Sequence, residues 1–155
     1  MSQQLIRHIC LGFFGIFVGA QIVEGALMVP HWLSMNPSEF HEFYSTFGPG
    51  IGRFFTILTV IAALIAIGIA IKDWKQKSDG WVYSIIAALL MIICIAMFYI
   101  YFKGANELFY AAPMDVQEMQ DQLGRWSDIH WARVGLEIIA LVCLSASGIQ
   151  RGTRT

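Results

Sequence analysis

The chain has 155 residues and a formal net charge of −1; 57% of its residues are hydrophobic and only 14% are charged. Soluble domains carry about 25% charged and 45–50% apolar residues, so this composition excludes an ordinary soluble fold. Low net charge with high hydrophobicity also excludes disorder, and the near-neutral balance removes the electrostatic case for a nucleic-acid partner. What remains is an integral membrane protein with the lipid bilayer as its first partner.

A membrane helix needs about 20 mostly apolar residues, and four such segments follow along the chain. The first, at about residues 9–32, is interrupted by Gln21 and Glu24. Its buried acid, and the lack of a small-residue cleavage site, read as a mature helix rather than a secretory leader. Gly15 and Gly19 form a GxxxG pattern, an expected helix-packing contact. Residues 33–48 are aromatic and mildly acidic, and Asn36-Pro37-Ser38 is a helix-start signal, so a short interfacial helix is expected there. The second segment, about 49–71, carries Arg53 near its start, and residues 72–79 form a tight polar turn. The third segment, about 80–102, has no charge. Residues 103–125 lead past a proline into an amphipathic interfacial helix whose first turn is acidic, with Asp115 and Glu118. The fourth segment, about 126–149, carries His130, Arg133 and Glu137. The expected fold is all-α: one transmembrane domain over residues 1–155, a four-helix bundle with short interfacial helices in its two outer connections.

Cys10, Cys94 and Cys143 form no close pair and read as buried small hydrophobes. Trp32, Trp74, Trp81, Trp126 and Trp131 sit near predicted helix ends and read as aromatic-belt anchors. Lys and Arg fall at the N-terminus (Arg7), in the middle turn (Lys72, Lys75, Lys77) and at the C-terminus (Arg151, Arg154), whereas the longer connections are acidic. This bias places both termini on the cytoplasmic side and the two longer connections outside; a bacterial inner membrane is the expected location.

Ionisable side chains inside a bilayer are costly and mark function. Phe17, Gln21, Glu24, Met28 and His31 follow at spacings of 4, 3, 4 and 3, one face of a regular helix. His130, Arg133 and Glu137 share a face of the fourth helix. With helices one and four antiparallel, the two histidines share one depth and the two glutamates lie roughly 10 Å deeper. Arg53, Asn106, Tyr99 and Tyr101 fall at the same end, so the polar membrane residues converge on the outer half of the bundle, and the inner half is almost purely apolar.

Two chemistries fit this set. His31, His130 and Glu24 resemble the carboxylate–imidazole sets that hold a transition metal in helix bundles, with Glu137 behind them. Without a metal, Glu24 is a candidate base, His130 a candidate acid or base, and Arg53 and Arg133 candidate stabilisers of an enolate or phenolate. Gln21, Glu137 and Tyr101 are candidates for holding the substrate. The cofactor is therefore either none or a single transition metal.

The order and spacing of several short stretches resemble the anthrone-oxygenase-like family of small four-helix membrane proteins, found in bacteria and fungi. These stretches are Gly19-Ala-Gln-Ile-Val-Glu24, Val29-Pro30-His31-Trp32, Phe47-Gly-Pro-Gly-Ile-Gly-Arg53-Phe-Phe55, Tyr101-Phe102 with Asn106 and Phe109, and Arg125-Trp126 with Ile129-His130 and Arg133. The resemblance implies a four-helix membrane fold and, for the anthrone-oxygenase branch, O₂-dependent oxidation of a polycyclic phenolic carbon acid. Its pattern falls on Glu24, Asn106, Trp126, His130 and Arg133, which adds Asn106 and Trp126 to the substrate-holding candidates. The expected function is a membrane-embedded oxygenase or oxidoreductase acting on a lipophilic, aromatic small molecule. A non-enzymatic carrier for such a ligand or for a metal, and a structural subunit of a membrane complex, are the alternatives that the residues leave open. A homo-oligomer is compatible with each.

Overall fold

The computed structural model of the protein describes residues 2–149, with the side chain of Ile149 left out. Arg151 and Arg154, which entered the charge bias, lie outside the described residues. All regular structure among the described residues is helical. It comprises α1 (Gln3–Val23), a widened turn (Glu24–Met28), α2 (Val29–Leu33), α3 (Pro37–Lys75), α4 (Trp81–Met97), a second widened turn (Phe98–Phe102), α5 (Lys103–Ala111) and α6 (Val116–Ile149). Joined end to end, these make four spans long and apolar enough to cross a membrane: Gln3–Leu33, Pro37–Lys75, Trp81–Ala111 and Val116–Gly148. The protein thus has the four-helix architecture of an integral membrane bundle.

The expected interfacial helices exist, but they are extensions of the spans rather than separate elements. Asn36 caps α3 through a reciprocal pair of 3.0 Å hydrogen bonds with Glu39. The helix then runs 39 residues to Lys75, straight through Pro49. A proline inside a helix removes one rung of the ladder, and the Gly48-Pro49-Gly50 stretch reads locally as a break. Packing overrides that signal. Phe40 and Tyr44 lie in one core cluster before the proline, and Ala62, Ala63 and Ala66 lie in another after it. On the other side, Asp115 accepts the Glu118 N–H at 2.8 Å and starts α6, which continues without interruption into the fourth span.

Two cores stack along the bundle. One end is built from small residues (Ala62, Ala63, Ala66, Ala70, Ala87, Ala88 and Ala140) with Phe14, Phe17, Met91 and Leu144. In a membrane, where burial against lipid gives little drive, small side chains let helices approach closely. The other end is aromatic, with Trp32, Phe40, Tyr44, Phe102, Phe109 and Trp126 in edge-to-face contacts. Trp74, Trp81 and Trp131 are exposed, as belt anchors should be, but Trp32 and Trp126 are buried in the aromatic core. A Cβ built at Gly15 or Gly19 would meet nothing within 4 Å, so among the described residues the GxxxG pattern serves no close helix approach.

The small-residue end is not purely apolar. Asp73 is fully buried there and holds Arg7 at 3.3 Å. Arg7 also donates to the Leu144 carbonyl at 2.9 Å and to the Ser147 hydroxyl. This clasp ties the first, second and fourth spans together at that end. The expectation of an apolar inner half missed it because Arg7 and Asp73 lie 66 residues apart, each in what reads as a polar flank.

Candidate functional site

Where the two cores meet, Glu24, Gln21, His130, Arg133 and Glu137 come together, all buried. Arg133 is the hub. Its Nη2 lies 3.6 Å from Glu24 Oε2, and its Nε lies 3.8 Å from Glu137 Oε1 one turn along α6. The same Nη2 donates to Gln21 Oε1 at 3.1 Å and to His130 Nδ1 at 2.9 Å. The guanidinium carbon sits 4.3 Å from the centroid of the Phe102 ring, a cation–π contact.

The His130 tautomer follows from its partners. A guanidinium only donates, so Nδ1 accepts and the ring proton is on Nε2. Nε2 donates that proton to the Gln21 carbonyl at 2.9 Å. One face of the ring stacks on Trp126, 4.9 Å between centroids and 12° between planes. Trp126 in turn donates its indole N–H to Asn106 Oδ1 at 3.1 Å.

The first span admits this ring because of two local features. Gly25 has no Cβ; one built there would stand 2.9 Å from the His130 ring and 3.0 Å from Trp131. The widened turn, in which the Val29 N–H reaches back to the Glu24 carbonyl, loosens the ladder beside the Gln21 carbonyl that His130 uses. Such turns occur frequently at functional sites. The second widened turn, with the Lys103 N–H on the Phe98 carbonyl, ends at Phe102. Each irregular turn therefore contributes one residue, Glu24 or Phe102, to the surroundings of Arg133.

The widened turn also breaks the proposed metal set. It turns every later residue of the first span back by about one α-helical step, roughly 100°. Val29 takes the buried position, and His31 is exposed with its ring against Phe43 at 6.2 Å. His31, His130 and Glu24 do not converge, and among the described residues no group of three or more His, Cys, Asp or Glu side chains is placed to hold a metal ion. Arg53 is exposed on the second span and makes no part of the cluster, because the uninterrupted helix through Pro49 turns it outward.

A cavity of about 130 Å³ opens beside the hub. An apolar cavity of about 150 Å³ holds a benzene ring. Glu24, Arg133, Asn106 and Trp126 line it, with Trp32, Tyr44, Phe102 and Cys94. On the side between the second and third spans its lining reaches Gly52, Thr56, Val60 and Tyr99, all exposed on the outside of the bundle. Gln21, His130, Glu137 and Tyr101 are not among the lining residues. The first three support Arg133 or Glu24 from behind, and Tyr101 stands aside with Arg125 over its ring at 5.7 Å. Two polar atoms of lining residues, Glu24 Oε2 and Trp32 Nε1, are buried without a hydrogen-bond partner. Oε2 faces the Arg133 guanidinium and His130 Nδ1, at 3.6 and 3.7 Å; buried polar groups are nearly always satisfied, and the Trp32 N–H is the donor left unsatisfied here.

Gly25, Trp32, Tyr44, Phe102 and Cys94 were not among the candidate site residues. Only Gly25 carried a signal, as a glycine directly following the one acid of an otherwise apolar helix. Nothing local separates Trp32 from a belt tryptophan.

No curated protein and no solved structure matches the chain. The pattern of the anthrone oxygenase family matches residues 43–143, about two-thirds of the chain, and takes in Asn106, Trp126, His130, Arg133 and Glu137. Glu24 and Trp32 precede that segment. With four membrane-length helices around the site and this match across three of them, the chain belongs to the anthrone oxygenase family.

Proposed function

We propose that the protein is a membrane-embedded oxygenase acting on a lipophilic aromatic carbon acid, with Glu24 as the base and Arg133 as the group that steadies the anion. The observation that carries this reading is the pairing of a carboxylate and a guanidinium, 3.6 Å apart, in the lining of a mostly apolar cavity. An oily ligand with one polar end suits such a site.

Of the two bases the sequence offered, Glu24 is the better placed. Both ring nitrogens of His130 are engaged, by Arg133 and by the Gln21 carbonyl, and the ring is not part of the cavity wall. His130 is then a positioning residue that fixes Arg133. The Glu24 carboxylate takes a proton from a methylene carbon flanked by aryl groups. Negative charge moves onto the conjugated oxygen, which Arg133 and the Trp32 N–H stabilise as it develops. The carbanion reduces O₂, carbon and oxygen join as a hydroperoxide, and loss of water leaves a ketone. Overall CH₂ and O₂ give C=O and H₂O. The cavity takes one ring of such a substrate, and the remaining rings lie toward the exposed lining between the second and third spans.

Oxygen uptake by the protein in lipid nanodiscs, with anthrone as the probe, tests this reading. The wild-type protein should raise the rate above protein-free discs, and Glu24→Gln should lower the enhancement by about 10²–10⁴-fold, the usual contribution of a general base. Equal rates in the two proteins would refute the assignment.

A further inference from the structure

At the end opposite the candidate site a second concavity, of about 1040 Å³, lies between the first, second and fourth spans. Its walls are apolar, formed by Ile6, Leu11, Ile61, Leu64, Ile65 and Ile69, and Gly68 leaves its floor open. Its rim is polar and cationic, with Gln3, Gln4, Arg7, His8 and Lys72, and among the described residues no acid lines it. Arg7 spends its terminal nitrogens on Asp73, Leu144 and Ser147, but its Nε is buried without a partner. The Lys72 ammonium has no acidic partner among the described residues and is half-buried at the groove.

The two cations sit at the level of the membrane surface. Arg7 is in the second turn of α1, and Lys72 lies three residues, about 4.5 Å, from the end of α3. A groove with acyl-like walls in the hydrocarbon layer and two cations at its mouth is complementary to a lipid with an anionic head. Basic pockets between membrane helices bind such head groups. We propose that this groove is a binding site for an anionic phospholipid, its phosphate at Lys72 beside the Arg7 guanidinium and one acyl chain over Gly68 between the first and second spans. The site is separate from the Glu24–Arg133 cavity and does not depend on the reading of that cavity.

The test is native mass spectrometry of the purified protein released from nanodiscs containing equal amounts of dioleoyl phosphatidylglycerol and dioleoyl phosphatidylcholine. The expected result is one retained lipid, phosphatidylglycerol favoured over phosphatidylcholine by about fivefold or more for the surface cation at Lys72. Lys72→Gln should bring the ratio toward one. Gly68→Phe, which fills the groove, should abolish retention of both lipids while circular dichroism keeps the helical signal. Inorganic phosphate in large excess should not displace the lipid. A wild-type ratio near one overturns the proposal whatever the variants do. So does displacement by inorganic phosphate alone, retention unchanged in both variants, or a lipid-free dimer, which would make the groove an interface between two copies.

Discussion

Arg133 stands between Glu24 and Glu137, one carboxylate on each side of a single guanidinium, at 3.6 and 3.8 Å. Taking away that cation strands two buried acids without a counter-charge. Removing one partner of a buried pair costs about 3–5 kcal/mol, so Arg133→Met should lower the thermal midpoint in detergent sharply. Arg133→Lys keeps the charge but loses the fork that reaches Gln21, His130 and both acids, and should fall between. A midpoint for Arg133→Met equal to that of the wild type would show that the cluster is not held as described.

Gly25 offers a test with a diagnostic sign. In an ordinary helix interior, Gly→Ala stabilises by about 0.5–1 kcal/mol. Here the added Cβ meets the His130 ring at 2.9 Å and the Trp131 ring at 3.0 Å. Gly25→Ala should therefore destabilise by about 1–3 kcal/mol, the usual cost of overpacking, read from unfolding in detergent. A stabilised Gly25→Ala variant would mean that His130 does not enter the first span at this point.

The Arg7–Asp73 clasp joins three spans at the far end. Asp73→Ala leaves Arg7 without its acid and should cost about 3–5 kcal/mol. The Glu24–Arg133 cavity lies in the other core layer, so ligand binding there should persist in whatever fraction stays folded. Thermal unfolding together with ligand titration of the surviving protein checks both halves. An Asp73→Ala variant as stable as the wild type would remove the clasp from the structural description.

The four spans were legible because the apolar runs are long and the breaks between them are polar. The ends were not. Pro49 and its flanking glycines mark a boundary by every local rule, but the helix passes through because Tyr44 on one side and Ala62 on the other are fixed by tertiary packing. Within the site, Glu24, Gln21, His130, Arg133 and Glu137 were found by reading faces at helical spacing, and the structure brings all five together. The same reading placed His31 with them, and it failed there because a uniform helical repeat carries no trace of the widened turn at Glu24–Met28. Arg53 was placed by its depth alone, and depth does not tell which way a side chain points.

The exposed lining between the second and third spans makes its own demand. Thr56 lines the cavity there and is exposed. Thr56→Trp should lower kcat/KM for a multi-ring substrate by hindering entry and leave the stability within about 0.5 kcal/mol of the wild type, as surface changes usually do. Unchanged kinetics would place the entry route elsewhere.

The orientation proposed from the Lys and Arg bias puts the Arg7–Lys72 end in the cytoplasm and the Glu24–Arg133 cavity nearer the outer surface. Single cysteines at Lys77 and at Asp115, in a background lacking Cys10, Cys94 and Cys143, should react with a membrane-impermeant maleimide in intact cells only at position 115. Labelling at position 77 alone would invert the orientation.

The central claim is that Glu24 removes a proton from carbon before oxygen takes part. The most direct measurement is exchange of the anthrone methylene hydrogens with deuterated water under strictly anaerobic conditions, followed by NMR with the protein in nanodiscs. The expected result is exchange well above that of protein-free discs for the wild type and at background for Glu24→Gln. Exchange equal in the two proteins, or absent in a wild-type protein that still consumes oxygen with the same substrate, would contradict it.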